Sequence, residues 1–429
     1  MIRSYTKSEA LLERALRTIP LGSQTFSKSR TQYPRGVSPY FIERGRGARV
    51  WDADGNEYVD MIMSLCAVTL GYSDPDIDAA VRAQLDDGVL FSLPHRVEME
   101  VAELICEMVP CAEKVRFGKN GSDATAGAIR IARAFTGRDR VAVCGYHGWQ
   151  DWYIGSTLRN LGVPQATRDL THPFAFNDAD SLKSLLASHP GEFAAVILEP
   201  MNVAHPTAEF LQAVQDLTRA HGAVLVFDET ITGFRFANGG AQELFGVTPD
   251  LATFGKGLAN GYPVSAVTGR ADIMALMEEV FFSFTFGGET LSLAAAKATM
   301  EKLKREPVIA TMRATGETVK ARVADLVATH GLGEVLSVSG DPTWSFLNFR
   351  DHERYSLWEM KTLFMQEVFE RGVLAYGSHN IAYAHGEAEL ARLFSTYDET
   401  FAILRDALER GDLIERLRCK PLEPLFKVR

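Results

Sequence analysis

Apolar residues in the middle of the chain form short uninterrupted runs that alternate with longer amphipathic stretches. Runs of this kind, bounded by turn residues, are typical of strands buried in a parallel sheet, and the stretches between them are typical of helices. The runs lie at 115–117, 141–144, 194–199, 223–228 and 263–269, and the helices are predicted at 122–136 and 207–221. The pattern therefore predicts an α/β domain with a mostly parallel central sheet flanked by helices.

The two ends of the chain follow a different pattern. The N-terminus predicts an amphipathic helix with one apolar face, formed by Leu11, Leu12, Ala15, Leu16 and Ile19. Residues 48–62 predict a hairpin, and helices are predicted from Asp74, at 95–108 and over a long stretch at 290–330. The last part predicts an α+β lobe, with strands at 334–339, 344–350 and 373–376 and helices at 357–371 and 387–410. We expect an N-terminal segment of the small domain at 1–60, a large cofactor-binding domain at 61–305 and a C-terminal small domain at 306–429.

Composition narrows the classes of partner. The chain has 429 residues and a formal net charge of -10, which disfavours a nucleic-acid partner. No apolar run is long enough to span a membrane, and the N-terminus lacks the apolar core of a signal peptide. The five cysteines are scattered and form no CxxC pair, so no metal site is expected. Unpaired cysteines favour a cytoplasmic location.

Two loops that follow strands have residue types suited to a planar phosphorylated ligand. Gly121 and Ser122 stand between a strand and a helix, where free N–H groups and the helix dipole favour a phosphate. Such residues are more often only helix caps. Tyr146 and His147 follow the strand at 141–144 and could stack on a ring, although surface aromatic residues between two glycines are an equally good explanation.

Two further segments supply charged groups. Asp228 closes an apolar strand, where a carboxylate needs a cationic partner: a protonated ring nitrogen or a structural arginine. Lys256 lies between two glycines in a weakly polar stretch, where a lysine can become a competent amine nucleophile. A lone GKG is more often an ordinary loop. Together, a phosphate cradle, a ring-stacking aromatic, an acid for a ring nitrogen and a buried amine are the parts that a pyridoxal 5'-phosphate (PLP) site requires.

These segments resemble the class-III, fold-type I aminotransferases, and within them the branch that is similar to glutamate-1-semialdehyde aminomutase. The resemblance extends over nearly the whole chain and rests on four stretches: ILEP at 197–200, FDETITGFR at 227–235, PDLATFGKGLANGYPVSA at 249–266 and FTFGGETLS at 284–292. It implies PLP as the cofactor and an amino-group transfer as the reaction.

The resemblance also implies a role for each matched residue. Lys256 would hold PLP as a Schiff base and move the proton, and Asp228 would pair with the pyridine nitrogen. Gly121 and Ser122 would hold the phosphate. The other cofactor residues would be Tyr146 stacked on the ring with His147 adjacent, Thr230 near the opposite face, Glu199 beside Asp228, and Thr285. Thr285 would reach the phosphate of a neighbouring subunit, which implies a homodimer with shared active sites.

The sequence departs from the aminomutases at three substrate positions. Gly377 stands nearest the place of their C-terminal glutamate, Lys28 nearest the place of an N-terminal arginine, and Leu65 at the place of a tryptophan of the substrate wall. These departures disfavour glutamate-1-semialdehyde as the substrate. The segment 376–385 and the C-terminal ending are instead similar to class-III members that act on sugars.

We therefore expect an aminotransferase with a small-molecule amino donor and a small polar carbonyl acceptor, a sugar or an amino sugar. Ser378, His379 and Asn380 are the candidate groups for hydroxyl recognition, and a hydrogen-bonded turn in the small domain explains them equally well. Arg235 is the candidate for the donor carboxylate, or else it pairs with Glu229 or another acid. The alternatives are an aminomutase or epimerase that needs no external donor and, less favoured, a PLP-binding protein without turnover.

Overall fold

The computed structural model of the chain describes residues 3–423. Its helices, in chain order, are α1 Thr6–Ala15, α2 Met63–Cys66, α3 Pro75–Asp87, α4 Arg96–Met108, α5 Gly121–Thr136, α6 Asp151–Ile154, α7 Gln165–Arg168, α8 Ala179–Ser188, α9 Phe210–Ala220, α10 Ala241–Phe245, α11 Ala271–Met274, α12 Thr290–Arg305, α13 Val308–Thr329, α14 Leu357–Glu370, α15 Glu387–Arg410 and α16 Leu413–Arg416. Its strands are β1 Ile42–Arg46, β2 Arg49–Asp52, β3 Glu57–Asp60, β4 Lys114–Gly118, β5 Arg140–Cys144, β6 Thr171–Pro173, β7 Phe193–Leu198, β8 Val224–Asp228, β9 Leu251–Phe254, β10 Ser265–Gly269, β11 Leu336–Asp341, β12 Trp344–Phe349, β13 Val373–Leu374 and β14 Ser378–Asn380.

The described residues fall into two compact units. The large unit comprises residues 67–69 and 75–309, and the small unit comprises residues 3–66, 70–74 and 310–423. No helix within residues 3–423 is long and apolar enough to cross a membrane. The same residues contain no cluster of histidine, cysteine, aspartate or glutamate side chains that could hold a metal ion.

The large unit is built on a seven-stranded sheet with the order β4-β10-β9-β8-β7-β5-β6. Strands β9, β8, β7, β5 and β6 are parallel to one another. β10 runs antiparallel to both β4 and β9. This confirms the predicted α/β class with a mostly parallel sheet. Strands β6 and β9 were not predicted from the apolar runs.

Helices cover both faces of this sheet because successive strand residues point to opposite sides. Along β7, Ala195 and Ile197 join the core that packs under α5, whereas Val196 and Leu198 join the core under α8 and α9. Both faces are therefore apolar, as the uninterrupted runs of the sequence indicate. The predicted cofactor residues lie at or just after the carboxyl ends of β5, β7 and β8. This is the edge at which ligands of such sheets bind.

The small unit contains two further sheets. A four-stranded sheet has the order β1-β2-β3-β13, with β13 parallel to β3 and the other pairs antiparallel. A three-stranded antiparallel sheet has the order β11-β12-β14. The strand predicted at 373–376 is thus confined to Val373–Leu374 and belongs to a different sheet from its neighbour β14.

Proline explains two differences between the predicted and the observed helices. The long stretch at 290–330 is two helices, because Pro307 stands between the end of α12 at Arg305 and the start of α13 at Val308. Proline disfavours helical geometry in the residue before it, so the first helix has to end there. The N-terminal helix likewise ends at Ala15, and Ile19, which precedes Pro20, is extended with φ -126° and ψ 120°.

The segment α2 in the small unit is a left-handed turn. Met63, Ser64, Leu65 and Cys66 have φ values of 43°, 49°, 60° and 68°. Left-handed geometry costs roughly 1–2 kcal/mol for each residue that carries a Cβ, so surrounding contacts have to hold the turn in place. The side chain of Asn380 supplies one of them, because its Nδ2 donates to the Ile62 carbonyl oxygen at 2.6 Å.

Candidate active site

The start of α5 forms the first part of the candidate site. β4 ends at Gly118, and Asp123 Oδ2 accepts hydrogen bonds from the backbone N–H groups of Lys119 at 3.1 Å and Asn120 at 2.7 Å. This capping interaction fixes the turn that leads into the helix. The first N–H groups of a helix have no partners within the helix, and the helix dipole adds a partial positive charge there. The turn is therefore suited to a phosphate.

Glycines bring other loops against this helix start. A Cβ on Gly121 would lie 3.0 Å from Thr230 Cγ2, and a Cβ on Gly148 would lie 2.3 Å from Ser122 Oγ. The Ser122 hydroxyl also accepts a hydrogen bond from the backbone N–H of Trp149 at 3.3 Å. Three loops of the large unit, which follow β4, β5 and β8, thus meet at the start of α5.

Asp228 is buried at the carboxyl end of β8, with 4% of its surface exposed. Its Oδ2 accepts from His147 Nδ1 at 2.9 Å. Its Oδ1 accepts from the Thr230 hydroxyl at 2.6 Å, the Thr230 backbone N–H at 3.1 Å and the Thr253 hydroxyl at 3.2 Å. Burial alone would raise the pKa of Asp228, but these donors outweigh it and hold the pKa below its ordinary value. The site therefore holds a carboxylate, which can pair with a cation.

His147 is fully buried and is fixed from both sides of its ring. Its Nε2 lies 3.2 Å from the carbonyl oxygen of Cys144, and its ring is stacked on Trp152 with a centroid distance of 6.4 Å. A carbonyl oxygen can only accept, so Nε2 is a donor. His147 thus positions the Asp228 carboxylate.

Glu199 and Tyr146 lie beside this pair. Glu199, at the end of β7, is 5% exposed, and its Oε2 accepts from the Tyr146 backbone N–H and from Asn202 Nδ2, each at 3.0 Å. A Cβ on Gly145 would lie 2.6 Å from Glu199 Oε2. The carboxylate therefore orients the loop that carries Tyr146.

Lys256 follows β9 at the start of a 3-10 turn, Lys256–Ala259, and has a φ of 42°. The neighbouring Gly255 places its backbone against the same residues that surround the helix start. A Cβ on Gly255 would lie 3.5 Å from Thr230 Cγ2 and 3.9 Å from the Cα of Gly121. The lysine is half-buried. Its backbone therefore begins next to the loops that hold Asp228 and the start of α5.

Arg235 and Glu229 are both fully buried in the large unit. Glu229 accepts from the Thr232 hydroxyl at 2.7 Å and from the backbone N–H groups of Ala241 and Gln242 at the start of α10. Burial raises the pKa of Glu229. The guanidinium of Arg235 lies with Nη2 3.5 Å from the Thr69 hydroxyl. This region thus contains a capped short helix and a buried guanidinium.

The remaining predicted residues lie elsewhere. Thr285 is exposed in a turn of the large unit, and Lys28 is exposed at the end of a 3-10 turn in the small unit. Ser378, His379 and Asn380 form β14 in the interior of the small unit. His379 bonds to Ser345 Oγ and to the Tyr397 hydroxyl, each at 3.0 Å, and burial lowers its pKa to about 4.

Three groups of this region were missed in the sequence. Thr253 lies opposite Asp228 in the pairing of β8 with β9, and nothing in a single sequence gives that register. Lys119 forms an ion pair with Glu289 at 2.8 Å, which joins the loop after β4 to the start of α12. Ser265 has a buried hydroxyl without a hydrogen-bond partner among the described residues, and a Cβ on Gly118 would lie 2.7 Å from it.

These groups fit the cofactor that the sequence predicts. The start of α5, with the close-packed Gly121 and Gly148, is a cradle that a side chain would fill, and the buried Ser265 hydroxyl beside it is an unused hydrogen-bonding group. Asp228 is a carboxylate held ready for a cationic ring nitrogen, and an amine-bearing Lys256 begins next to it. A phosphate, a ring nitrogen and an aldehyde are the three groups through which PLP is recognised, so the residues present match the molecule.

Comparisons with known proteins agree with this reading. The family model described as aminotransferase class-III matches residues 32–385. The 3-aminobutyryl-CoA aminotransferase of Cloacimonas acidaminovorans (strain Evry) is 34% identical over 412 residues, which cover 94% of this chain and 98% of that protein. The structure of the PLP internal aldimine form of the FumI protein of Sphingopyxis sp. MTA144 has a TM-score of 0.89 and 29% identity, with 97% and 99% of the two chains covered. An omega-transaminase from Sphaerobacter thermophilus has a TM-score of 0.84 and 30% identity, with 94% and 99% covered.

Proposed function

Since this chain belongs to the class-III aminotransferases and uses PLP, we propose that it exchanges an amino group between an amino acid and a carbonyl carbon that is not adjacent to a carboxylate. The observation that carries the proposal is the similarity to a 3-aminobutyryl-CoA aminotransferase over nearly the full length of both proteins. The amino group in that relative's name stands on the third carbon of an acyl chain. The proposal therefore places the reacting carbon of this enzyme's acceptor at a β position.

We assign the chemical roles by the contacts around the start of α5. PLP, when bound, accepts the electron pair that is released as the substrate carbon loses its proton. Lys256 anchors the cofactor through its amine and carries the proton to and from the reacting carbon. Asp228 pairs with the ring nitrogen and keeps it protonated, because a nearby negative charge favours the protonated form. Gly121 and Ser122 bind the phosphate, and Tyr146 covers the ring.

The substrate carboxylate of the amino acid is assigned to Arg235. A guanidinium binds a carboxylate through two parallel hydrogen bonds. Arg235 is held in the large unit near Thr69. Lys28, exposed in the small unit, is the second candidate for an anionic group of either substrate.

Gly377 disfavours an aminomutase. Its φ is 103°, and a Cβ at this position would lie 3.1 Å from the Leu347 carbonyl oxygen. A glutamate there would be strained in its backbone and crowded at its Cβ. The chain therefore has no room for the aminomutase carboxylate at the place where the sequence puts it.

The sugar acceptor predicted from segment 376–385 receives no support from the contacts. A sugar site needs exposed polar groups that point at hydroxyls, whereas His379 and Asn380 use their ring and amide nitrogens within the small unit. The sugar or amino-sugar acceptor stays a prediction, and it is included in the screen below.

We also propose that the enzyme is a homodimer. The large unit exposes six large apolar side chains in two segments, 90–93 and 281–286, the second of which contains Thr285, and Leu93 and Phe281 are 78% and 82% exposed. The chain next to each segment is linked to the other, because the Thr290 backbone N–H donates to the Val89 carbonyl oxygen at 3.0 Å. An apolar surface of this kind marks a protein interface. Its members are Leu90, Phe91, Leu93, Phe281, Phe284 and Phe286.

The proposed function is tested by a single-turnover screen of the PLP-loaded enzyme. Each candidate amine converts PLP to its amine form, and the absorbance band of the lysine-bound cofactor is lost. We expect the band to be lost with 3-aminobutyrate or its thioesters and with one common amino acid, such as L-glutamate or L-alanine. Loss only with amino sugars would replace the proposal with the sugar acceptor. Conversion of a substrate without any second amine would indicate a mutase or an epimerase.

A further inference from the structure

A cavity of about 780 Å³ opens beside the candidate site in the large unit. It lies at the carboxyl ends of β5, β6 and β7, the edge at which ligands of parallel sheets bind. Its wall includes Cys144, Gly145 and Glu199, the residues that contact His147 and Tyr146. The cavity is therefore continuous with the loop that carries the ring-stacking tyrosine, and none of the roles assigned above uses its outer part.

The walls of the cavity are mainly apolar. Its fifteen lining residues include the apolar side chains of Val143, Leu158, Pro173, Phe174, Phe176 and Val203. The rim is apolar as well, because Leu158 is 84% exposed and Val203 40% exposed. Surface leucines on a loop at the mouth of a cavity are typical of a binding site for an apolar chain.

Charge excludes an anionic occupant of this cavity. None of the lining residues is a lysine, an arginine or a histidine, and the one charged side chain is that of Glu199. A carboxylate or a phosphate in this space would meet a carboxylate without a cation to balance it, which is costly in a weakly polar environment. The occupant has to be uncharged over the length that the cavity encloses.

Two amide side chains provide the polar contacts. Asn160 Nδ2 donates to the Thr157 carbonyl oxygen at 2.8 Å, and Asn202 Nδ2 donates to Glu199 Oε2 at 3.0 Å. Both amides are therefore oriented. Asn202 Oδ1 also accepts from the Val203 backbone N–H at 2.7 Å, but an amide oxygen has two lone pairs and can accept a second hydrogen bond. Acceptors of this kind suit the N–H groups of a ligand amide better than a dense set of hydroxyls.

We propose that this cavity binds the pantetheine arm of an acyl thioester whose β carbon carries the carbonyl or the amine. The arm is an uncharged chain of methylene groups and two amides that ends in a pantoyl unit with methyl and hydroxyl groups, and its apolar stretches and amides match apolar walls with two oriented asparagines. This inference rests on the proposed function, because it assumes that the acceptor reacts at a β carbon. It adds that the acceptor is bound as a thioester and names the residues that select it.

The experiment compares three small amines as amino donors in steady-state turnover with a keto-acid acceptor: free 3-aminobutyrate, its pantetheine thioester and its CoA thioester. The native holoenzyme should convert the pantetheine thioester with an apparent KM about ten-fold or more below that of the free acid, since the arm buries apolar surface. A fourth arm, the same acyl group on the pantetheine of an acyl carrier protein, shows whether CoA or a carrier is the source. Either source supports the proposal.

Filling the cavity supplies the structural test. Ala204 and Thr157 line it, so Ala204→Phe and, separately, Thr157→Phe place a ring in the path of the arm. Each should raise the KM for the pantetheine thioester about ten-fold and leave the KM for the free acid and for the amino acid within about two-fold. Ala220→Phe, on an exposed alanine of α9 that does not line the cavity, is the matched control and should change neither.

The outcomes separate the two proposals. The pantetheine site would be overturned if the native enzyme converted the free acid and the thioester equally well. It would also be overturned if both cavity variants kept the native KM for the thioester. Either result would leave the β-carbon transaminase in place. A native enzyme that converts neither compound, while an amino acid still bleaches the cofactor band, would overturn the proposed function itself.

Discussion

Replacing His147 tests how the site keeps Asp228 ionised. The two side chains are 0% and 4% exposed, and the Nδ1–Oδ2 distance is 2.9 Å. A buried hydrogen bond to a charged group contributes about 1.5–3 kcal/mol, which equals a pKa change of about 1–2. His147→Leu removes this donor and leaves burial, which raises the pKa of Asp228, opposed only by Thr230 and Thr253.

The sign of the effect follows from the state that the reaction needs. Asp228 acts as a carboxylate, so a raised pKa means that its charge is lost at higher pH as the solution is acidified. We expect the acid limb of the kcat profile to move up by about 1–2 pH units in His147→Leu, with kcat reduced about ten- to a hundred-fold. The assay is kcat at saturating donor and acceptor across the pH range in which the native enzyme is stable.

A matched variant isolates the bond to Asp228. In His147→Asn the side-chain amide nitrogen can take the place of Nδ1, whereas the contact to the Cys144 carbonyl oxygen is lost as it is in the leucine variant. We expect His147→Asn to keep the native acid limb. If the leucine and asparagine variants show the same acid limb, His147 does not act through the carboxylate and the reasoning is wrong.

Three other predictions follow from single positions. Gly148→Ala should weaken PLP binding about ten-fold in a cofactor titration, because its Cβ would meet Ser122 Oγ, whereas Gly162→Ala, also at a positive φ but with nothing within 4 Å, should not. Lys256→Ala should lose the cofactor absorbance band after borohydride treatment and dialysis, and a retained band would exclude Lys256 as the anchor. Because burial lowers the pKa of His379 to about 4, its contribution to stability is fully present above pH ~6.5 and is lost, by roughly 3 kcal/mol in total, as the pH falls from there to about 4. The free energy of unfolding, measured with denaturant at several pH values, should show this loss in the native protein and not in His379→Gln.

The candidate cofactor residues could be proposed from the sequence because each one depends on a local rule. Only a few residues of sequence are needed to recognise each of three features: a strand that ends in an acid, a glycine before a helix, and a lysine between glycines. Thr253 could not be predicted in this way. It meets Asp228 only because β8 and β9 pair in one register, and register depends on packing between residues distant in the chain.

The substrate residues depend on longer-range structure. In the sequence, Ser378, His379 and Asn380 suggest either groups for hydroxyl recognition or a hydrogen-bonded turn, yet they form the buried edge strand β14, which pairs with β12. Asn380 holds the carbonyl oxygen of Ile62 at the head of the left-handed turn. Four successive residues with a Cβ and a positive φ have no propensity signal, so neither the turn nor its support could be expected.

The left-handed turn Met63–Cys66 is held by hydrogen bonds from two sides. Strained backbone persists where the surrounding structure fixes it, and it is often found where a ligand has to be positioned. Asp60 fixes it from one side, because its Oδ1 accepts from the backbone N–H groups of Ile62 at 2.7 Å and Met63 at 3.0 Å, and Asn380 fixes it from the other. The half-buried Leu65, which the sequence places at a wall position of the related aminomutases, is thereby presented by a rigid turn. Asn380 therefore supports the turn that carries Leu65 while its own side chain stays inside the small unit.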